Sequence, residues 1–398
     1  MRCSETGILI DNSDVILNRG FTSYRNYPLT SDTKGTATAY GMRAFNSTVT
    51  LSATNNEAYG MPADSPYSFA HNPVGMQLNN SVLTSPVGGR TTNILGDSVA
   101  GAQHQFHQIN LDLFLNTKTG LECNNSIVDF NHTIFAFQNE NGISMFNTKF
   151  HTDELVVDHN NNVGIEATNS DIKYFKVGNA TGDAPNKVLQ TVINGIHMKF
   201  RNTTLDFEDL PTNYLGTATV PTNFLEICSG GRKTENGLSV PGVQLDSSKV
   251  RLLNTETQFD TTNHTPATLE GVPITGFCYK AENNSNLQFL GTSGQYTYIM
   301  GPDTTYDTLL DSVAVMAEDG SKVEFNGPTV MNSAGVNVGA RNNSTILFAP
   351  HNTEGRLEIT DWSLSDSRMH TMVDLQSFRS CLSVDNNSTL KLKDLGDY

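Results

Sequence analysis

The sequence predicts an all-β solenoid, a single-stranded parallel β-helix of three short strands per coil with loop insertions. Three observations predict it. A polar turn followed by an apolar-polar-apolar segment recurs eleven times between Ser13 and Ser388. Glycine-opened strands precede many of these turns, as in GMQLNNS and GLECNNS, and helical heptads are missing. Self-similarity along a whole chain is the signature of a repeat architecture, and a period of two places the repeat on strands.

The turn is Asn-Ser or a close variant, anchored at Ser13, Ser47, Ser81, Ser126, Ser170, Thr203, Ser248, Ser285, Ser321, Ser344 and Ser388. Two residues beyond each anchor the side chain is always aliphatic, for example Val49, Ile172 or Leu287. Four residues beyond it is aliphatic or aromatic, except at Ser85. Thr50, Asp129, Arg251 and Glu324 exemplify the mostly polar position between them. This alternation points two columns into a core and one into water.

Asparagine precedes most anchors, at Asn12, Asn46, Asn80, Asn125, Asn169, Asn202, Asn284, Asn343 and Asn387. It tolerates a left-handed backbone and its amide can pair with copies above and below. The column is therefore expected to form an internal structural ladder. Anchor spacing varies from 23 to 45 residues. The shortest step is one bare coil; longer ones hold insertions or further coils.

The 398 residues are read as one elongated domain, with loop-like insertions near 52–78, 179–192 and 211–240. The aromatics Tyr59, Tyr67 and Phe69 lie in the first loop. They are candidates for stacking on sugars or another chain, set against packing within the loop itself.

The formal charge is −16 and charged residues make up only 17%. A nucleic-acid partner would call for a basic stripe, which the sequence lacks. The five cysteines, Cys3, Cys123, Cys228, Cys278 and Cys381, are widely spaced and make no CxxC pair, so inward packing in a reducing compartment is expected rather than a disulfide framework. No apolar run is long enough to cross a bilayer and no leader is evident, so membrane insertion is not expected. Asn-x-Ser/Thr triplets are explained as corners. Neither end carries an evident cap, which predicts that the chain works inside an assembly.

Chemistry is less legible. Asp206 and Glu208, with Asp209, form one acidic run, and Asp153, Glu154 and Asp158 another. Asp206 and Glu208 share the outward face of one strand, the arrangement a glycan-cleaving carboxylate pair would need. Equally, an acidic surface produces such pairs without function. His104 and His107, or His151 and His159, are weak metal candidates without an evident third ligand. No P-loop, nucleophile elbow or dinucleotide fingerprint stands in its required context, and no cofactor is expected.

The glycine-opened strand, the Asn-Asn-Ser corner and the following apolar strand resemble the right-handed, pectate-lyase-like β-helix over most of the chain. Among such proteins it looks most like a bacteriophage tail fibre, tailspike or baseplate-attached virion protein. The resemblance implies a virion protein assembled in the host cytoplasm, a homotrimer contacting other tail or baseplate proteins and host surface glycans. No head domain, trimerisation region or matched catalytic motif is evident, which favours a non-enzymatic structural component. The alternatives are a glycan depolymerase of tailspike type and a bacterial surface adhesin.

Overall fold

The computed structural model describes residues 6–17, 20–26, 39–52, 65–85, 109–176, 189–192, 194–208, 225–228, 234–235, 238–239, 242–253, 255–258, 277–290, 297–300, 313–326, 329–332, 336–348, 357–360, 380–384 and 389–392. These residues form an all-β parallel β-helix solenoid. They fall into two compact units, Met1–Val188 with Phe207–Asp209, and Leu189–Asp206 with Leu210–Tyr398.

In the first unit, the first sheet stacks Thr6–Asp11, Tyr40–Phe45, Val74–Asn79, Thr119–Asn124, Asn141–Phe146 and Val163–Thr168 in parallel. After a tight corner the chain enters the second sheet, which includes Asp14–Leu17, Thr48–Leu51 and Val82–Thr84. The third contains Phe21–Tyr24, Ser65–Ala70 and Ile109–Phe114. Ile127–Phe137 serves the second and third sheets in turn, with a register shift between Phe130 and Thr133. The second unit repeats this plan. Its first sheet includes Val243–Asp246, Phe277–Glu282, Val313–Ala317, Val336–Ala340 and Ser380–Val384.

The inward columns are those the alternation predicts. Val49, Leu51, Leu83, Val128 and Phe130 are buried in the first unit, and Val250, Leu252, Leu287, Phe289, Val323 and Phe325 in the second. Phe289, Phe325 and Phe348 stack with centroids 4.9 and 4.6 Å apart, the strand spacing of a parallel sheet.

The asparagine column departs from expectation. Asn12, Asn46, Asn80, Asn125, Asn169, Asn202, Asn284 and Asn343 do adopt left-handed φ angles. Their side chains, however, are exposed, so they are an outer corner and not an internal ladder. Asn387 lies outside the described residues. The left-handed turn swings the asparagine outward and tucks the next Ser or Thr inside. That residue makes the ladder. The Ser47 N–H donates to Ser81 Oγ at 3.2 Å, and the Ser81 N–H to Ser126 Oγ at 3.2 Å. In the second unit Ser248 donates to Ser285 and Ser285 to Ser321, both at 3.0 Å. Each hydroxyl then donates to the carbonyl just before the corner, as Ser126 does to Asn124 at 2.7 Å. One copy escaped the sequence reading. Thr148, after Asn147, donates its N–H to Ser170 Oγ at 3.2 Å across 22 residues. The long step from Ser126 to Ser170 thus holds two bare coils.

A buried asparagine ladder does exist, at the corner after the third strand. Asn26, Asn72, Asn116, Asn139 and Asn160 are essentially inaccessible. The Asn116 backbone and side-chain N–H groups both donate to Asn139 Oδ1 at 3.0 Å, and those of Asn139 do the same to Asn160. The Asn72, Asn116, Asn139 and Asn160 amides also reach a third-strand carbonyl, as Asn139 does Leu113 at 2.9 Å. Glycines opening the first sheet make room for it. A Cβ on Gly120 would stand 2.7 Å from the Gly142 carbonyl oxygen and 3.0 Å from Asn139 Nδ2.

The predicted loop at 52–78 is corrected in part, because Ser65–Ala70 and Val74–Asn79 are strands of the coil. Proline and aromatic content masked a period of two in Tyr67-Ser68-Phe69. Likewise Leu189–Val192 and Leu225–Cys228 are third-sheet strands inside the loops predicted at 179–192 and 211–240.

Candidate functional site

Of the candidate carboxylate pair, only the Asp206 side chain is described. Asp206 faces outward on Thr204–Glu208, where Arg251 Nη1 donates to both its oxygens at 3.1 Å. A carboxylate so engaged accepts charge-assisted hydrogen bonds from the guanidinium of the next coil. The Glu208 side chain and Asp209 lie outside the described residues, as does the Asp153 side chain.

In the second acidic run, Glu154 and Asp158 share the outward face of Lys149–Asp158, each with its own partner. Glu154 accepts a hydrogen bond from Thr133 at 2.7 Å, while Asp158 lies 2.6 Å from the neighbouring His159 Nδ1. His151 Nδ1 stands 2.9 Å from Asp129 Oδ1 on the preceding coil. His104 and His107 lie outside the described residues. Among the described residues no cluster of three or more His, Cys, Asp or Glu converges on a metal position.

The aromatic candidates divide. Tyr59 is outside the described residues, whereas Tyr67 and Phe69 are fully buried and unavailable to a partner. They belong to the core because Ser65–Ala70 is a third-sheet strand with both rings on its inner face. The Tyr67 hydroxyl lies 2.5 Å from the carbonyl oxygens of Leu17 and Ser52. Burial pushes its phenol up to about 12, against the opposing hydrogen bond from Ser52. Cys123 is a free, buried thiol whose pKa is raised by burial and by the neighbouring Glu122 carboxylate.

No protein-family model matches the chain, and neither the curated proteins nor the solved structures hold a match to it.

Two outward networks stand out, one on first-sheet strands and one at their ends. In the first unit, Arg43, Gln77 and Glu122 occupy one register column. Arg43 Nε donates to Gln77 Oε1 at 2.6 Å, and Gln77 Nε2 to Glu122 Oε1 at 3.0 Å. Asn124 Nδ2 bridges the same Glu122 oxygen at 3.1 Å and Asn79 Oδ1 at 3.2 Å. The Arg43 guanidinium lies 4.6 Å from the Tyr40 ring centroid and 4.4 Å from that of Phe45. In the second unit, Lys280 contacts Glu282 at 2.7 Å and Glu318 at 3.1 Å, and Arg341 also pairs with Glu318. Burial works against the Lys280 charge, but the two carboxylates outweigh it and hold its pKa above the usual lysine range. On the third sheet, burial raises the Asp112 carboxyl pKa against a hydrogen bond from Ser68.

Sequence reasoning passed over the first network because its members are 34 and 45 residues apart. A signal was present: each stands at the same offset from a glycine-opened strand.

Proposed function

We propose that this chain is a structural component of a bacteriophage virion, a β-helical tail fibre, spike or baseplate-attached protein that forms or presents the host-attachment apparatus. The observation that carries the reading is the pair of side-chain ladders locking coil to coil within the first unit. Buried, mutually satisfied polar columns give rigidity and a single register, which suits a load-transmitting shaft. The serine ladder of the second unit adds to it. Its partners are copies of itself, as a homotrimer, and other tail or baseplate proteins. Its setting is the virion.

Two measurements test this. Peptides of the chain should be recovered by mass spectrometry from gradient-purified particles of its phage. The purified protein should appear in electron micrographs as rods of trimeric mass. Absence from particles removes the virion reading. Release of new reducing ends or unsaturated products from host polysaccharide would replace the structural role with a depolymerase.

A further inference from the structure

We propose that the outward face of the first sheet in the first unit is a binding platform for a neutral oligosaccharide. Phe45, Asn79, Asn124 and Phe146 occupy one register column on consecutive strands. Gln77, Glu122 and Ser144 form a second column beside it. Inner neighbours of these residues, including Met42, Ala44, Met76, Leu78, Leu121, Cys123, Ile143 and Met145, are buried, so strand alternation points both columns outward.

Within this column, which continues to Asp11 and Thr168, the stretch from Phe45 to Phe146 has an aromatic at each end and amides between. Phe146 is 46% exposed, one of few large apolar side chains so placed. Phe45, backed by the Arg43 guanidinium, stands at the other end of this stretch, next to Asp11. Three strand steps separate them, about 14 Å at the spacing of a parallel sheet. A pyranose ring is roughly as long as one such step. The span therefore takes a short oligosaccharide lying along the helix axis, with one sugar against Phe146.

The polar groups between the rings are fixed before any ligand arrives. The chain of hydrogen bonds from Arg43 through Gln77 and Glu122 to Asn124 and Asn79 sets each amide's orientation. Among the described residues, Asn79 Nδ2, Asn124 Oδ1 and the second Glu122 oxygen take no part in these bonds, which leaves one donor and two acceptors directed by that network. Planar amides and a carboxylate beside an exposed ring suit hydroxyl-rich sugars, and preorganised groups lose little entropy on binding.

Charge and backbone pairing select against other occupants. Glu122 and Glu166 share a column in which Arg43 is the one cation between Tyr40–Phe45 and Val163–Thr168, and the chain carries a net charge of −16, so the balance disfavours an anionic glycan or nucleic acid. An extended peptide has no strand edge to extend here, because Tyr40–Phe45, Val74–Asn79 and Thr119–Asn124 each pair on both sides. The inference deepens the attachment reading by naming its ligand class, and it is tested separately from presence in the particle.

The test is binding of the purified full chain to an array of neutral and acidic bacterial surface oligosaccharides. Titration calorimetry follows on any glycan retained. Retention of at least one neutral glycan is expected. Phe146→Ser should weaken it roughly tenfold or more, the loss typical of truncating a hot-spot aromatic. Asn79→Ala should weaken it too. Ile127→Ser, an exposed position on the second sheet, should leave binding unchanged. Retention of acidic glycans only, no retained glycan, or binding indifferent to Phe146→Ser and Asn79→Ala overturns the proposal. Recovery of the protein from particles with no retained glycan would leave the virion reading standing and this one refuted.

Discussion

At the scale of single residues, two asparagine columns of the same chemistry do different work. Asn125 sits outside a corner and contributes a tolerated left-handed φ of 50°. Asn139 sits inside one, where its side-chain amide bridges two neighbouring asparagines and a carbonyl. Asn139→Ala is expected to cost about 2–4 kcal/mol, because it leaves several buried groups unpaired. Asn125→Gly should stay within a few tenths of a kcal/mol, since glycine takes the same backbone freely. Urea denaturation of both variants measures the contrast. Leu115 makes the opposite case: it holds a φ of 54° without the compensation asparagine enjoys. Leu115→Asn should raise stability by roughly 1 kcal/mol, the order of the penalty for a left-handed residue, read as an increase in the denaturation midpoint.

The scale of elements shows why the strands were legible and the corners were not. Val49 and Leu51 alternate with Thr48 and Thr50, and that pattern alone assigns the inner face. Tyr67 and Phe69 obey the same rule, yet the surrounding Pro and Gly read as a loop. Which corner residue turns inward depends on backbone geometry, since an αL residue and its neighbour point to opposite sides. Asn72 and Asn139, each placed three residues before Gly75 and Gly142, did carry a sequence mark of the inner ladder. Its meaning needs the close approach that Gly142 permits, where a Cβ would come within 2.5 Å of the Gly164 carbonyl oxygen. Gly120→Ala is accordingly expected to destabilise by about 2 kcal/mol or more through backbone displacement, within the range for overpacking, as a drop in Tm. The Arg43–Gln77–Glu122 column was legible only as a common offset of two from Gly41, Gly75 and Gly120; that its side chains hydrogen-bond to one another follows from the stacking of the coils.

At the scale of the whole molecule, stability is made of contacts between residues far apart in sequence. Serine-ladder bonds join residues separated by 22 to 45 positions. Such non-local parallel pairing makes folding slow, and refolding from urea should take seconds or longer in stopped-flow and manual-mixing fluorescence. Cys123 offers a reporter of the same process. Its buried, protonated thiol should resist iodoacetamide in the native protein and be modified in denaturant, as peptide mapping would record.

The bare turn that begins at Thr148 has a consequence for how this polypeptide can change length. Excising residues 148–169 would splice Asn147 directly to Ser170, restoring an Asn-Ser junction and keeping every later side chain in phase. An excision of half that size would rotate the downstream columns inside out. Gain and loss of material should therefore come in whole-turn quanta.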